Sequence, residues 1–133
     1  LMDWITERFT AEKCAARGLG TGITLYGEGF GAGIQKGGGN YGDEKTFILF
    51  DAFYKNIWMP QATVQSLAEA FDIESAPVLN HHTLTSAIAL VRNGFDSAFG
   101  SFDAEGVVVR PTTELVNQYG ERVIAKIKTK DFA

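Results

Sequence analysis

Cysteine is nearly absent: Cys14 is the only one in 133 residues. One thiol cannot build an internal disulfide framework, and it fits a reducing compartment, so a cytoplasmic location is expected. Cys14 itself reads as a small buried apolar residue. Histidine is almost as scarce, with only the adjacent His81 and His82. Neighbouring side chains on a helix or strand point different ways, so the two do not make a natural metal pair, and no zinc site is expected. No apolar run reaches the roughly 18 residues that a membrane span needs, and no membrane partner is expected. Positive charge is not in excess either. A net charge of −4 argues against a nucleic-acid binder that works by overall charge, though not against a local basic stripe.

Apolar residues make up 45% of the chain, enough for it to fold, and its length suits one domain with one core over 1–133. Residues 1–17 read as one amphipathic helix, with Met2, Ile5, Phe9 and Ala16 near helical spacing and Gly18 and Gly20 ending it. "GITLYGEGFG" (22–31) starts as a strand and dissolves into glycine; residues 29–42 hold seven glycines and read as a loop. "TFILFDAFY" (46–54) is a continuous apolar run typical of a buried strand. Thr63 to Phe71 reads as a helix with Val64, Leu67, Ala68 and Phe71 on one face, and "APVLN" (76–80) as a brief strand. A second helix starts at His82 or Thr83, runs through Val91 and closes at the "NG" of 93–94. Strands at 106–110 and 122–129 read as an antiparallel hairpin with a long connection. The mixture is α+β.

Chemistry concentrates in a few stretches. In "RVIAKIKTKDF", Lys126, Lys128 and Lys130 alternate and should share one strand face, leaving Val123, Ala125 and Ile127 for the core. Such a row either guards an edge strand or holds an anion. Glu105 opens the partner strand "EGVVVRP", where Val107 and Val109 take one face and Val108 and Arg110 the other. An acid there is either a turn residue or a hard oxygen donor for Mg²⁺. Paired, the two strands would bring one acid near several bases, the charge layout of a phosphate bridged by a cation. Glu28 lies among glycines after an apolar strand, where a ligand could come close to the backbone. Neither the dinucleotide fingerprint nor a Walker A loop is present. Phe50 ends the buried strand, as a core residue or as a face on which a purine could stack. Trp4 and Trp58 read as packing residues.

In order, these pieces resemble the covalent nucleotidyltransferase superfamily of polynucleotide ligases and capping enzymes, above all the phage-type ATP-dependent RNA ligases. "YGEGFGAGIQKGGGNYGD" (26–43) resembles the strand and loop whose glutamate contacts the nucleotide ribose, here Glu28. "FILFD" (47–51) resembles motif III, whose aromatic stacks on adenine, here Phe50. "EGVVVRP" (105–111) resembles motif IV, whose glutamate supports the catalytic metal, here Glu105. "IAKIKTKDF" (124–132) resembles motif V, whose lysines contact phosphate, here Lys126 and Lys128.

The resemblance implies a partial ligase core: antiparallel β-sheets forming a nucleotide-binding cleft with flanking helices. It implies ATP, an AMP adduct on lysine, Mg²⁺ or Mn²⁺, and RNA ends or a nicked duplex as partners. The family's nucleophile lies in a Lys-x-x-Gly segment well before the ribose-contacting glutamate. Lys13, in "AEKCAARG", lies only fifteen residues before Glu28 and lacks the glycine three positions on, so it is not taken as the nucleophile. The chain is therefore expected to be the C-terminal part of a nucleotidyltransferase domain, with the attacking lysine outside it. A catalytically inactive nucleotide- or RNA-binding homologue, or a DNA ligase or capping-enzyme relative, are the alternatives.

Overall fold

The computed structural model describes residues 1–19, 22–31, 44–79, 83–98 and 103–132. It divides into two compact units, Leu1–Ala76 and Pro77–Ala133. The fold is α+β, with antiparallel pairing and helices in both units.

The first unit opens with two short helices rather than one, α1 (Met2–Arg8) and α2 (Ala11–Ala16). Thr10 makes the break. Its backbone is extended at φ −71° and ψ 152°, and its side chain accepts a hydrogen bond from the Lys13 amide, so it caps a new helix. Neither helix has a fully buried residue. Phe9, between them, packs its ring 4.7 Å from that of Phe71.

Strand β1 (Thr24–Phe30) pairs antiparallel with β2 (Thr46–Tyr54), the strand expected from the apolar run. β1 passes straight through Gly27 and Gly29, so the expected loop cannot begin at 29. Its remainder, 32–42, lies outside the described residues. A two-residue hairpin then leads to β3 (Ile57–Trp58), with Lys55 at φ 50° and Asn56 at φ 63°. Two successive positive φ values suit the right-handed twist of a tight hairpin.

Helix α3 (Gln61–Ala70) covers one sheet face. Leu49, Ala52, Val64 and Ala68 form its buried core, with Leu25, Phe47, Met59, Leu67 and Ile73 packed around them. The apolar face expected for this helix is the one buried. Strand β4 (Glu74–Ser75) pairs parallel to β2, two residues ahead of the expected 76–80. The Ala76 amide still donates to the Leu49 carbonyl at 2.8 Å, but Pro77 has no N–H and ends the ladder.

In the second unit, α4 (Leu84–Asn93) begins at the Thr83 N-cap, whose hydroxyl accepts from the Ser86 amide at 3.1 Å. It stops at Gly94, φ 81°. His82, the other expected starting point, lies outside the described residues, as does His81. Strand β5 (Gly106–Val109) pairs antiparallel with β6 (Ala125–Lys128), and a 3₁₀ turn (Thr129–Phe132) follows. Ala87 and Val91 of α4 bury Ile127, with Ile88, Phe95, Val107 and Val109 around them. Val123 and Ala125, expected in this core, are exposed instead: α4 covers the ribbon at Ile127 and leaves the earlier residues uncovered. Among the described residues no helix is long and apolar enough to cross a membrane.

Candidate functional site

Glu28 and Phe50 belong to the sheet of the first unit. Directly opposed residues of an antiparallel pair share a face, and faces alternate along a strand. Leu25 opposes Ala52 and Gly27 opposes Leu49, so these four lie on the α3 side. Glu28 opposes Ile48 and faces the other way, exposed beside Tyr26.

The register slips between Tyr26 and Gly27, which oppose Asp51 and Leu49. Phe50 is therefore the extra residue of a β-bulge. A bulge resets the side-chain alternation, which is why Leu49 and Ala52, three apart, reach the same core. Phe50 and Asp51 together oppose Tyr26, whose face is that of Glu28. Phe50 is half-buried and not part of the α3 core, whereas Asp51 is buried.

Gly27 explains part of the glycine richness. A Cβ there would overlap the Phe47 ring and the Ile48 carbonyl oxygen, so glycine is needed for the strands to pair at the bulge. Trp58 packs on Tyr26 at 5.2 Å and on Phe53 at 5.0 Å, the packing role read from the sequence, and Arg8 lies 5.0 Å over the Trp4 ring.

Glu105, Lys126 and Lys128 belong to the second unit. Gly106 opposes Lys128 and Val108 opposes Lys126, on the ribbon face turned away from the Ile127 core. Gly106 has φ 155°, and a Cβ there would overlap the Ile127 carbonyl oxygen. The glycine after Glu105 is thus what lets the acid's strand lie flush on the lysine strand. The Glu105 carbonyl accepts from the Thr129 amide at 2.8 Å, and the Thr129 hydroxyl donates to the Ala104 carbonyl at 3.0 Å. Glu105 is fixed by its backbone next to the end of β6, while its side chain is exposed, as are those of Lys126 and Lys128. Among the described residues none of the three side chains is held in an ion pair.

Lys130 departs from the expected row. The Asp131 carboxylate accepts from the Lys128 amide at 2.9 Å and closes the 3₁₀ turn, so Lys130 is no longer on the strand face of Lys126 and Lys128. Lys13 donates from Nζ to the Glu7 carbonyl at 2.7 Å, which anchors α2 to α1.

Two cavities of the first unit lie elsewhere. One, of about 480 Å³, is lined by Trp4, Arg8, Lys45 and Asp72 among others; the second, of about 390 Å³, is apolar and lined by Ile5, Phe9 and Phe47 among others. Neither is lined by Glu28, Phe50, Glu105, Lys126 or Lys128.

Among the described residues no three His, Cys, Asp or Glu side chains gather as a metal cage. Glu105 offers one exposed hard-oxygen donor on the residue that precedes β5, whose first rung is Gly106 with Lys128. That chemistry fits Mg²⁺ or Mn²⁺, which often bind through one or two carboxylates with substrate phosphates completing the shell.

Sequence reasoning missed Glu114, whose carboxylate takes both Arg110 at 3.4 Å and Arg122 at 2.6 Å. The signal was Pro111 ending the ladder just after Arg110, with an acid four residues beyond the arginine.

Comparison with curated proteins gives no match. The model of the family described as RNA ligase matches residues 4–128, nearly the whole chain and both sets of candidate residues. The chain belongs to the RNA ligase family.

Proposed function

We propose that this chain is the nucleotide-handling core of an ATP-dependent RNA ligase, which joins a 3′-hydroxyl to a 5′-phosphate through lysyl-AMP and adenylated RNA. Phe50 stacks on adenine and Glu28 holds the ribose. Lys126 and Lys128 hold the α-phosphate and offset the charge that gathers on it during transfer. Glu105 holds a divalent cation, which when bound polarises the phosphoryl oxygens. The nucleotide-binding cleft expected from the motifs belongs to the same proposal.

A lysine Nζ attacks the α-phosphorus, the bond to pyrophosphate breaks and a nitrogen–phosphorus bond forms. A 5′-phosphate oxygen of RNA then displaces the lysine, and the RNA 3′-hydroxyl displaces AMP, losing its proton. Fixing base and sugar sets the α-phosphate in line for each displacement. Lys13 is not assigned the attack, and the attacking lysine is sought outside residues 1–133.

The observation that carries this proposal is the β5–β6 register, which puts Lys126 and Lys128 on one ribbon face and pairs Lys128 with Gly106, the residue after Glu105. Titration of ATP with Mg²⁺ into the chain tests it. Saturable binding is expected, weakened by Phe50→Ala by about 1–3 kcal/mol, the scale of base stacking. Lys128→Ala should weaken it with no change in thermal stability. A folded wild-type chain that binds neither ATP nor AMP would sink the proposal.

A second reading is a nucleotide- or RNA-binding homologue without chemistry, since Lys13, the lysine weighed as nucleophile, is not assigned the attack. Labelled ATP separates the two: a form with a Lys-x-x-Gly segment ahead of Leu1 should retain covalent AMP only if the ligase reading is right.

A further inference from the structure

The connection between β5 and β6 is not a plain loop. The last rung of the ribbon is Val109 with Ala125, and pairing resumes where the Val123 amide donates to the Leu115 carbonyl at 3.0 Å. Between those points one side carries residues 110–114 and the other only Ile124. Pro111 cannot donate to a ladder, so the chain bows out after Arg110. Glu114 closes the bow. One oxygen, Oε1, accepts from Arg110 at 3.4 Å and from Arg122 at 2.6 Å. The three side chains are only 20%, 18% and 10% exposed for Arg110, Glu114 and Arg122. Past the clamp the hairpin is tight: the Asn117 side-chain oxygen accepts from the Tyr119 and Glu121 amides at 2.9 and 3.0 Å.

Four rungs join β5 to β6, and only Ile127 of β6 is buried. Little apolar burial therefore fixes the register from within the ribbon. A slip of one residue would exchange the face of Ile127 for that of Lys126 and Lys128, because side chains alternate with period two. The clamp joins the end of β5 to the approach to β6 and resists that slip.

We propose that Glu114 is a positioning residue: its carboxylate locks the β5–β6 register and so holds Lys126 and Lys128 on the face that takes nucleotide phosphate. The phosphate half of this statement rests on the function proposed above; the register half does not.

Nuclear Overhauser contacts between Val108 and Lys126 report the register, and ATP titration with Mg²⁺ reports the phosphate face. Both are measured on the whole chain and its Glu114→Ala, Glu114→Gln and Glu114→Asp variants. Glu114→Ala and Glu114→Gln should lose or split the Val108–Lys126 contacts and raise the ATP Kd about tenfold or more, a change of about 1.4 kcal/mol or more. Glu114→Asp, which keeps the charge, should restore one register and most of the affinity. Glu114→Gln preserves the side-chain shape and decides the matter if the alanine variant does not fold. A purely structural clamp would lower the melting temperature and leave contacts and Kd of the folded protein unchanged, and that result overturns the proposal. If the wild-type chain binds no ATP, the phosphate face falls with the proposed function, and unchanged Val108–Lys126 contacts in Glu114→Gln would still overturn the register.

Discussion

The two units hold their candidate residues by different means. In the first, Glu28 and Phe50 ride on a sheet whose other face is closed by α3, with Leu49, Ala52 and Val64 fully buried beneath. In the second, Lys126 and Lys128 ride on a two-stranded ribbon with Ile127 as its one buried residue among those described. A two-stranded ribbon is marginal alone, and this one is supplemented by helix α4, a glycine-tight rung at Gly106, the Thr129 tie and the Glu114 clamp. Apolar packing sets the geometry of one half of the residue set, and polar and backbone contacts set much of the other.

Leu49→Ala tests the apolar half most severely. Leu49 is 0% exposed at the centre of the first core, and truncating such a residue costs about 2–5 kcal/mol through lost burial and the cavity left behind. Chemical denaturation monitored by circular dichroism should show this. A loss under about 1 kcal/mol would mean that the core repacks freely. Gly106→Ala tests the ribbon next. Its Cβ would meet the Ile127 carbonyl at a backbone angle that favours glycine, so a cost of about 1–3 kcal/mol is expected, with weakened Val107–Ile127 contacts in the same sample. Unchanged contacts would break the claim that glycine sets this rung.

Much of this division was legible in the sequence. A nine-residue stretch with seven apolar residues, rich in aromatics, reads as a buried strand, and β2 is that strand. The Val64, Leu67 and Ala68 stripe and the closing glycine after Asn93 are local signals with local causes, and both helices follow them. Alternation in "VVV" and "KIK" was enough to pair β5 with β6. What escaped depends on partners distant in the chain or on unusual turn chemistry. The bulge at Phe50 comes from how β1 and β2 must register, which neither strand encodes alone. The β2–β3 hairpin uses Lys55 and Asn56 at positive φ, without the glycine that usually announces such a turn. Lys130 left the lysine row because Asp131 reaches back to the Lys128 amide, a side-chain bond that overrides alternation.

Thr83→Ala is a smaller perturbation. It removes the hydroxyl that caps α4 and should cost about 1 kcal/mol. The effect should reach the ribbon, because α4 is its apolar cover. If the two-strand unit depends on its supports, hydrogen exchange of the Ile127 amide should quicken along with that of α4. Exchange confined to the first turn of the helix would show that the ribbon stands without it.

The smallest effect is expected at Arg8, and it isolates burial from distance. Arg8 meets Asp72 at 2.7 Å, almost the separation of Arg122 from Glu114 at 2.6 Å. The surroundings differ: the Asp72 side chain is 91% exposed, that of Glu114 only 18%. Water screens the first pair, and holding two long side chains together offsets what attraction remains, so Asp72→Ala should cost only about 0.2–1 kcal/mol. Glu114 takes two guanidinium groups at a site with little exposure, and removing one partner of a buried pair costs about 3–5 kcal/mol in the limit of full burial. The clamp, mostly but not fully buried, should fall below that limit and well above Asp72. High salt separates them further, since it should erase the effect of Asp72→Ala and leave most of the effect of Glu114→Ala. Equal losses for the two variants, equally sensitive to salt, would mean that the second unit is held like the first, by its apolar contacts alone.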